Sequence, residues 1–253
     1  MRKNKQNKGQ VTIFIVIALI IVAGLLIIFL IWRKPTLTVF PETNPSAYIE
    51  KCMKDYGKEA IEILSEQGGD IEPEGSIRYK DKNITYLCYN ANYYVPCVNQ
   101  RPMLIEHIEQ EITNYLEPKM RSCFSSLRDE LEKRGYTVSM GEMNIVTGLQ
   151  TRKVSITAER SLKLTKNNEV RNFEKFKASL ANPIYDLAKI AMEISNQESH
   201  YCNFDVLGFM ILYPKYDIKK FREDDSTIYI LKEVASGEEF TFAIRSCAVR
   251  AGL

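Results

Sequence analysis

Hydrophobic positions fall into three rhythms along this chain, and each predicts a different kind of element. Val11 to Trp32 is an unbroken apolar run of 22 residues with no charge inside it. As a helix rising 1.5 Å per residue it spans ~33 Å, enough for the ~30 Å hydrocarbon core of a bilayer. The run therefore predicts a transmembrane helix over 11–32, with the lipid bilayer as its partner. Beyond it, Tyr48, Cys52, Tyr56, Ala60, Ile63 and Leu64 recur at helical spacing and define one buried stripe. Asn44 can cap that helix, Pro45 suits its first position, and Gly68-Gly69 stop it. A second helix is expected from about Pro102 to Arg134, carrying Ile105, Ile108, Ile112, Leu116, Cys123, Phe124, Leu127 and Leu131 on one side. Pro118 is expected to kink or divide it near Glu117.

The period then shortens to two. In KVSITAERSLKLT, Lys153 to Thr165, the residues Val154, Ile156, Ala158, Leu162 and Leu164 alternate with polar ones, the pattern of an antiparallel strand with one wet face. Arg160 breaks the apolar side and marks an edge or a bulge. Tyr136, Val138 and Met140 predict a preceding strand. Asn167-Asn168 is a tight-turn pair leading back through Val170 to Leu180. Asn182-Pro183 opens a third helix with Ile184, Leu187, Ala188, Ala191 and Ile194 inward. Val206–Leu212, Thr227–Leu231 and Phe240–Arg245 read as three further strands, the last two joined through Ser236-Gly237. Without regular βαβ alternation, the fold class is α+β: a mainly antiparallel sheet packed with about three helices, behind a transmembrane helix. The predicted layout is a basic cytoplasmic leader over 1–10, the helix over 11–32, a short stalk over 33–43 and one extracytoplasmic domain over 44–253.

Charge and cysteine content orient that layout. Arg2, Lys3, Lys5 and Lys8 precede the apolar run and only Arg33 and Lys34 follow it, which favours a cytoplasmic N-terminus. A cleaved secretory signal would have a shorter apolar core and a small-x-small site, and neither is present. Six of the 34 basic residues lie in 1–34, which holds no acid, so the remaining 28 face 32 acids. The outer domain is thus mildly acidic although the chain is +2 overall, and it offers no electrostatic footprint for nucleic acid. All six cysteines, Cys52, Cys88, Cys97, Cys123, Cys202 and Cys247, lie beyond the apolar run. An even number in an oxidising compartment suggests three disulfides among 15 pairings. Cys88 and Cys97 can staple a local loop, Cys52 and Cys123 sit on two helices able to pack together, and Cys202 and Cys247 are then left over. Buried thiols in a reducing compartment are the alternative, which the charge bias disfavours.

Chemical motifs are scarce. No GxGxxG, GxxxxGK[ST] or GxSxG occurs, which removes the familiar phosphate cradles and the nucleophile elbow. No CxxC occurs, and His107 and His200 are isolated from the cysteines, so neither a metal nor any other cofactor is expected. His107, beside Glu106 and Glu109, reads as a solvated helix residue, and His200 as part of a polar turn. Glu223-Asp224-Asp225 lacks the spacing of a calcium loop. The unusual surface candidate is Tyr86 to Pro96, YLCYNANYYVP, where Tyr86, Tyr89, Tyr93 and Tyr94 could form a rigid contact surface braced by Cys88 and Cys97. Packing of those tyrosines against the sheet or first helix is the plainer reading. Asn83-Ile84-Thr85 is a glycosylation sequon and makes Asn83 a candidate modification site.

The junction Lys8-Gly9-Gln10-Val11, a basic leader before an apolar helix, resembles the signal of archaeal prepilins and archaellins of the type IV filament system. The resemblance implies cleavage between Gly9 and Gln10 and pilin-like partners. It departs at the fifth mature position, where Phe14 stands in place of the glutamate of many pilins. Tyr48-Ile49-Glu50-Lys51-Cys52, Gln67-Gly68-Gly69, Tyr93-Tyr94-Val95-Pro96-Cys97 and Ile184-Tyr185-Asp186-Leu187-Ala188 resemble an uncharacterised family of single-anchor archaeal membrane proteins. The expected role is a non-enzymatic, single-pass cell-surface structural or interaction protein. The alternative is a tethered module that binds a peptide or glycan of the envelope.

Overall fold

The computed structural model describes residues 15, 17–22, 24, 44–92 and 94–247. Its contacts divide the chain into units over Met1–Val39 and Phe40–Leu253. In the first unit, Ile15, Ile17–Val22 and Gly24 are helical. No helix among the described residues is long and apolar enough to cross a membrane, which overturns the transmembrane helix of the expected fold. The rest of 11–32, the leader with Gly9 and Gln10, and the stalk over 33–43 lie outside the described residues.

The second unit is α+β. Helix α1 (Pro45–Gln67) begins where Asn44 Oδ1 accepts the Ala47 N–H at 3.0 Å, and it ends on Gly68 in the left-handed region (φ 77°). Strands β1 (Ser76–Tyr79), β2 (Lys82–Tyr89) and β3 (Val98–Asn99) precede the long helix α2 (Leu104–Lys133). Then come β4 (Thr137–Met140), β5 (Asn144–Gln150), β6 (Lys153–Lys166) and β7 (Glu169–Leu180). Helices α3 (Ile184–Tyr201) and α4 (Val206–Leu212) follow, and β8 (Tyr216–Glu223), β9 (Ser226–Glu233) and β10 (Glu239–Arg245) close the described elements.

One sheet runs β1-β2-β10-β9-β8, with β3 also paired to β2; all its pairings are antiparallel except β10 with β2. In the other sheet β6 pairs β7 along most of its length, and also pairs β5 and then β4. The β6–β7 register slips between Glu159 and Leu162, where Arg160 interrupts the apolar alternation. There the Arg160 Nε donates to Gly141 O at 3.0 Å and its guanidinium lies 4.9 Å from the Phe124 ring centroid. A single core joins α1, α2 and α3 to both sheets, through Ile49, Leu64, Phe124, Ile156, Ile194 and Phe242 among others. Cys52–Cys123 ties α1 to α2, Cys88–Cys97 closes the β2–β3 turn, and Cys202–Cys247 joins the end of α3 to the segment after β10.

Three expectations change. The domain has four helices among the described residues rather than about three, because Val206–Leu212 is helix α4 and not a strand. Asp205 Oδ1 accepts the Gly208 N–H at 3.1 Å and starts that turn locally, as a capping Asp does. Pro118 does not divide α2, which runs on through it. Pro118 lies on the exposed side of the helix, while Leu116 and Met120 on either side of it are fully buried, so core packing offsets the lost backbone hydrogen bond. Strands β1, β2, β3, β5 and β8 join those expected, and β2 absorbs Tyr86–Tyr89, the first part of the expected tyrosine loop.

Candidate functional site

Where α1 ends, Gly68 and Gly69 both take positive φ (77° and 98°), a conformation cheap only for glycine. A Cβ on Gly69 would lie 3.0 Å from Leu104 Cδ1, so the backbone passes tightly over the start of α2. This turn delivers Asp70 into the protein with its side chain only 6 % exposed. Gln67 Nε2 holds the turn from behind, donating to Asp70 O at 3.2 Å and to Ile71 O at 2.8 Å.

Three segments converge on the Asp70 carboxylate. Thr85 Oγ1 of β2 donates to Oδ2 at 2.7 Å, Arg101 Nη2 reaches the same oxygen at 3.2 Å, and His107 Nε2 of α2 stands 2.5 Å from Oδ1. Burial works to raise the Asp70 carboxyl; the bonds from His107 and Thr85 and the charge of Arg101 outweigh it and hold the group below its ordinary value. One turn beyond His107, Glu111 Oε2 accepts the Ile71 N–H at 2.8 Å. One ligand atom from each of Asp70, His107 and Glu111 can be chosen so that all lie within 4.8 Å of one another. They line a cleft of about 620 Å³ that also takes in Glu72, Glu74, Asn114, Tyr115 and Lys119.

A second cleft of about 460 Å³ adjoins it, lined by Gly75, Ser76, Tyr86, Tyr89 and Gln100; Glu74 and Arg101 line both. Tyr86 and Tyr89 meet edge to face with centroids 5.1 Å apart. The Tyr86 hydroxyl is 2.9 Å from Ser226 Oγ, and Arg245 Nη1 donates to the Tyr89 hydroxyl at 3.1 Å. Burial pushes the Tyr86 phenol above its ordinary value.

The expected tyrosine surface is therefore divided. Tyr86 and Tyr89 share the second cleft, Tyr94 is 68 % exposed in the following turn, and Tyr93 lies outside the described residues. Asn83 is exposed on β2, opposite Arg78 in register. His200 is exposed at the end of α3 with Nδ1 2.7 Å from Asn196 O. His107 is a correction: it is half-buried against Asp70 rather than solvated, because the Gly68-Gly69 turn brings a carboxylate over that face of α2. Asp70, Thr85, Arg101 and Glu111 had no place among the sequence candidates. The signals on hand were the double glycine before Asp70 and the four-residue step from His107 to Glu111, which puts both on one helix face.

The cluster's chemistry has limits. Among the described residues, no serine hydroxyl or thiol bonds His107, and Thr85 Oγ1 is committed to Asp70. No described cysteine is free. A Ser–His or Cys–His nucleophile pair is not assembled here. No protein-family model, curated protein or solved structure matches this chain.

Proposed function

We propose that the domain over 44–253 is a non-enzymatic interaction module of the cell exterior, which holds an extended basic peptide along the two clefts that meet at Arg101. The observation that carries this reading is their shared wall: Glu74 and Arg101 line both, with the Tyr86–Tyr89 pair on one side and the Asp70–His107–Glu111 cluster on the other. Asp70, Glu72, Glu74 and Glu111 outweigh Arg101 and Lys119 along this groove, which favours cationic side chains over anionic ones. Tyrosine faces add a surface for those cations and for apolar contacts. Three disulfides suit an oxidising exterior.

The test is binding of the oxidised full chain to a peptide array and a glycan array. The expected result is selective capture of Lys/Arg-containing peptides. Tyr89→Ala and Glu74→Gln should each weaken it by about 1 kcal/mol, roughly fivefold. Glu74 is exposed, so Glu74→Gln should hardly move the melting temperature, whereas Tyr89→Ala also loses the Tyr86 contact and the Arg245 bond and should lower it modestly. Capture of glycans alone, or peptide binding indifferent to both substitutions, sinks the reading.

Lys8-Gly9-Gln10-Val11 supports a second reading, a filament-type subunit cut after Gly9 that assembles with pilin-like partners. Mass spectrometry of the native protein should then find Gln10 at the N-terminus; a start at Met1 or Arg2 removes this reading.

A further inference from the structure

We propose that Asp70, His107 and Glu111 form a site for one divalent transition-metal ion of the zinc class, where residue spacing alone pointed to none. An imidazole nitrogen with two carboxylates is a donor set that such ions take, and three protein ligands leave a fourth position for water or a ligand.

The three side chains are already arranged for it. His107 and Glu111 stand one turn apart on α2, and the Gly68-Gly69 turn sets Asp70 against them. Thr85 Oγ1 bonds Asp70 Oδ2 and the Ile71 N–H bonds Glu111 Oε2, while Asp70 Oδ1 faces His107 and Arg101, bonds that an ion would replace or share. Such supporting bonds orient metal ligands.

Ligands about 2.0–2.1 Å from a tetrahedral ion lie roughly 3.3 Å from one another. From the present limit of 4.8 Å the ligand atoms would close by up to about 1.5 Å, while His107 and Asp70, at 2.5 Å, must part by under about 1 Å. Arg101 now supplies positive charge to both Asp70 oxygens at 3.2–3.4 Å. A bound ion takes over that role, and the two carboxylates neutralise it. The cleft beside the cluster gives the ion an entry path and an open coordination position. An ion here would use the charge of Asp70 and Glu111 that the peptide reading counts, so peptide binding is measured on the metal-stripped chain.

The test is titration of the oxidised, metal-stripped full chain with zinc chloride near pH 7.5, read by calorimetry and by metal analysis after dialysis. One ion per chain is expected, with a rise in melting temperature that a chelator reverses. His107→Ala should weaken binding by at least about 100-fold, since a lost ligand costs no less than a lost supporting group. Glu111→Gln, whose amide oxygen still accepts the Ile71 N–H, should weaken binding while leaving the metal-free melting temperature near wild type. His200→Ala should change nothing. Absence of stoichiometric zinc, or equal binding by wild type and His107→Ala, or loss of binding in His200→Ala, overturns the assignment. Loss of peptide capture with zinc binding intact would count against the interaction reading alone.

Discussion

The Tyr229 hydroxyl donates to Glu198 Oε1 in the buried seam between β9 and α3, and Lys220 Nζ stands 3.1 Å from the same oxygen. Burial raises the Tyr229 phenol far above its ordinary value, and the Glu198 charge and hydrogen bond raise it further. The native state therefore favours the protonated phenol, whereas the unfolded chain releases that proton near pH 10. This contribution to stability is intact below about pH 10 and declines as pH rises beyond it. Denaturant unfolding at a series of pH values should show that decline. Tyr229→Phe should show a shallower one, at a cost of roughly 1–2 kcal/mol at neutral pH for the lost donor. Equal alkaline slopes in the two proteins would refute the account.

Gly69→Ala is expected to lower stability by about 1–3 kcal/mol, because alanine at φ 98° is strained and its Cβ would press on Leu104 and Ile108. Gly75→Ala is the control: a Cβ there meets nothing within 4 Å, so its effect should stay within about 1 kcal/mol and lean toward stabilisation. Melting curves of the two variants measure the contrast.

Removing disulfides should rank by the loop each closes. Cys52–Cys123 spans 71 residues and Cys88–Cys97 spans nine. Chain entropy alone assigns about 4 and about 3 kcal/mol to them respectively. Paired cysteine-to-serine replacements, compared by equilibrium unfolding, should therefore show the α1–α2 tie as the more costly loss. The reverse order would mean that native packing rather than chain entropy dominates.

Arg152 Nη1 lies 2.6 Å from Oε1 of Glu233, whose side chain is only 3 % exposed and whose Oε2 is buried with no hydrogen-bond partner among the described residues. Arg152→Ala should cost about 2 kcal/mol by stranding that carboxylate. Adding Glu233→Met should recover most of it, as apolar replacement of a buried ion pair often does. A double variant no more stable than Arg152→Ala would show that the pair is not what is being measured.

Local signals made parts of this fold legible. Asn44-Pro45 and Gly68-Gly69 bracket α1, the alternation through Val154 and Leu164 marks β6, and the one misplaced charge, Arg160, lies at the register slip. Val206–Leu212 misled because a short apolar run carries no period to separate strand from helix; the deciding bond comes from Asp205. Pro118 misled because its neighbours on α2 bury enough apolar surface to override a missing donor. The polar cluster was illegible for a different reason. Asp70 and His107 are 37 positions apart, and only the turn after α1 brings them together; the helical step from His107 to Glu111 was half of the pattern, without its third member.

The parallel pairing of β10 with β2 has a consequence in time. Glu239–Arg245, the last strand in chain order among the described residues, occupies the middle of its sheet, between β2 and β9. During synthesis β1 and β2 emerge early and must wait with one edge unpaired until some 150 further residues have followed, a separation that slows folding and exposes an aggregation-prone edge. Cys202 also waits for Cys247, which follows β10. Oxidation of that pair is therefore a chemical timestamp on the arrival of the final strand, and trapping nascent chains of increasing length should show it as the last of the three bonds to form.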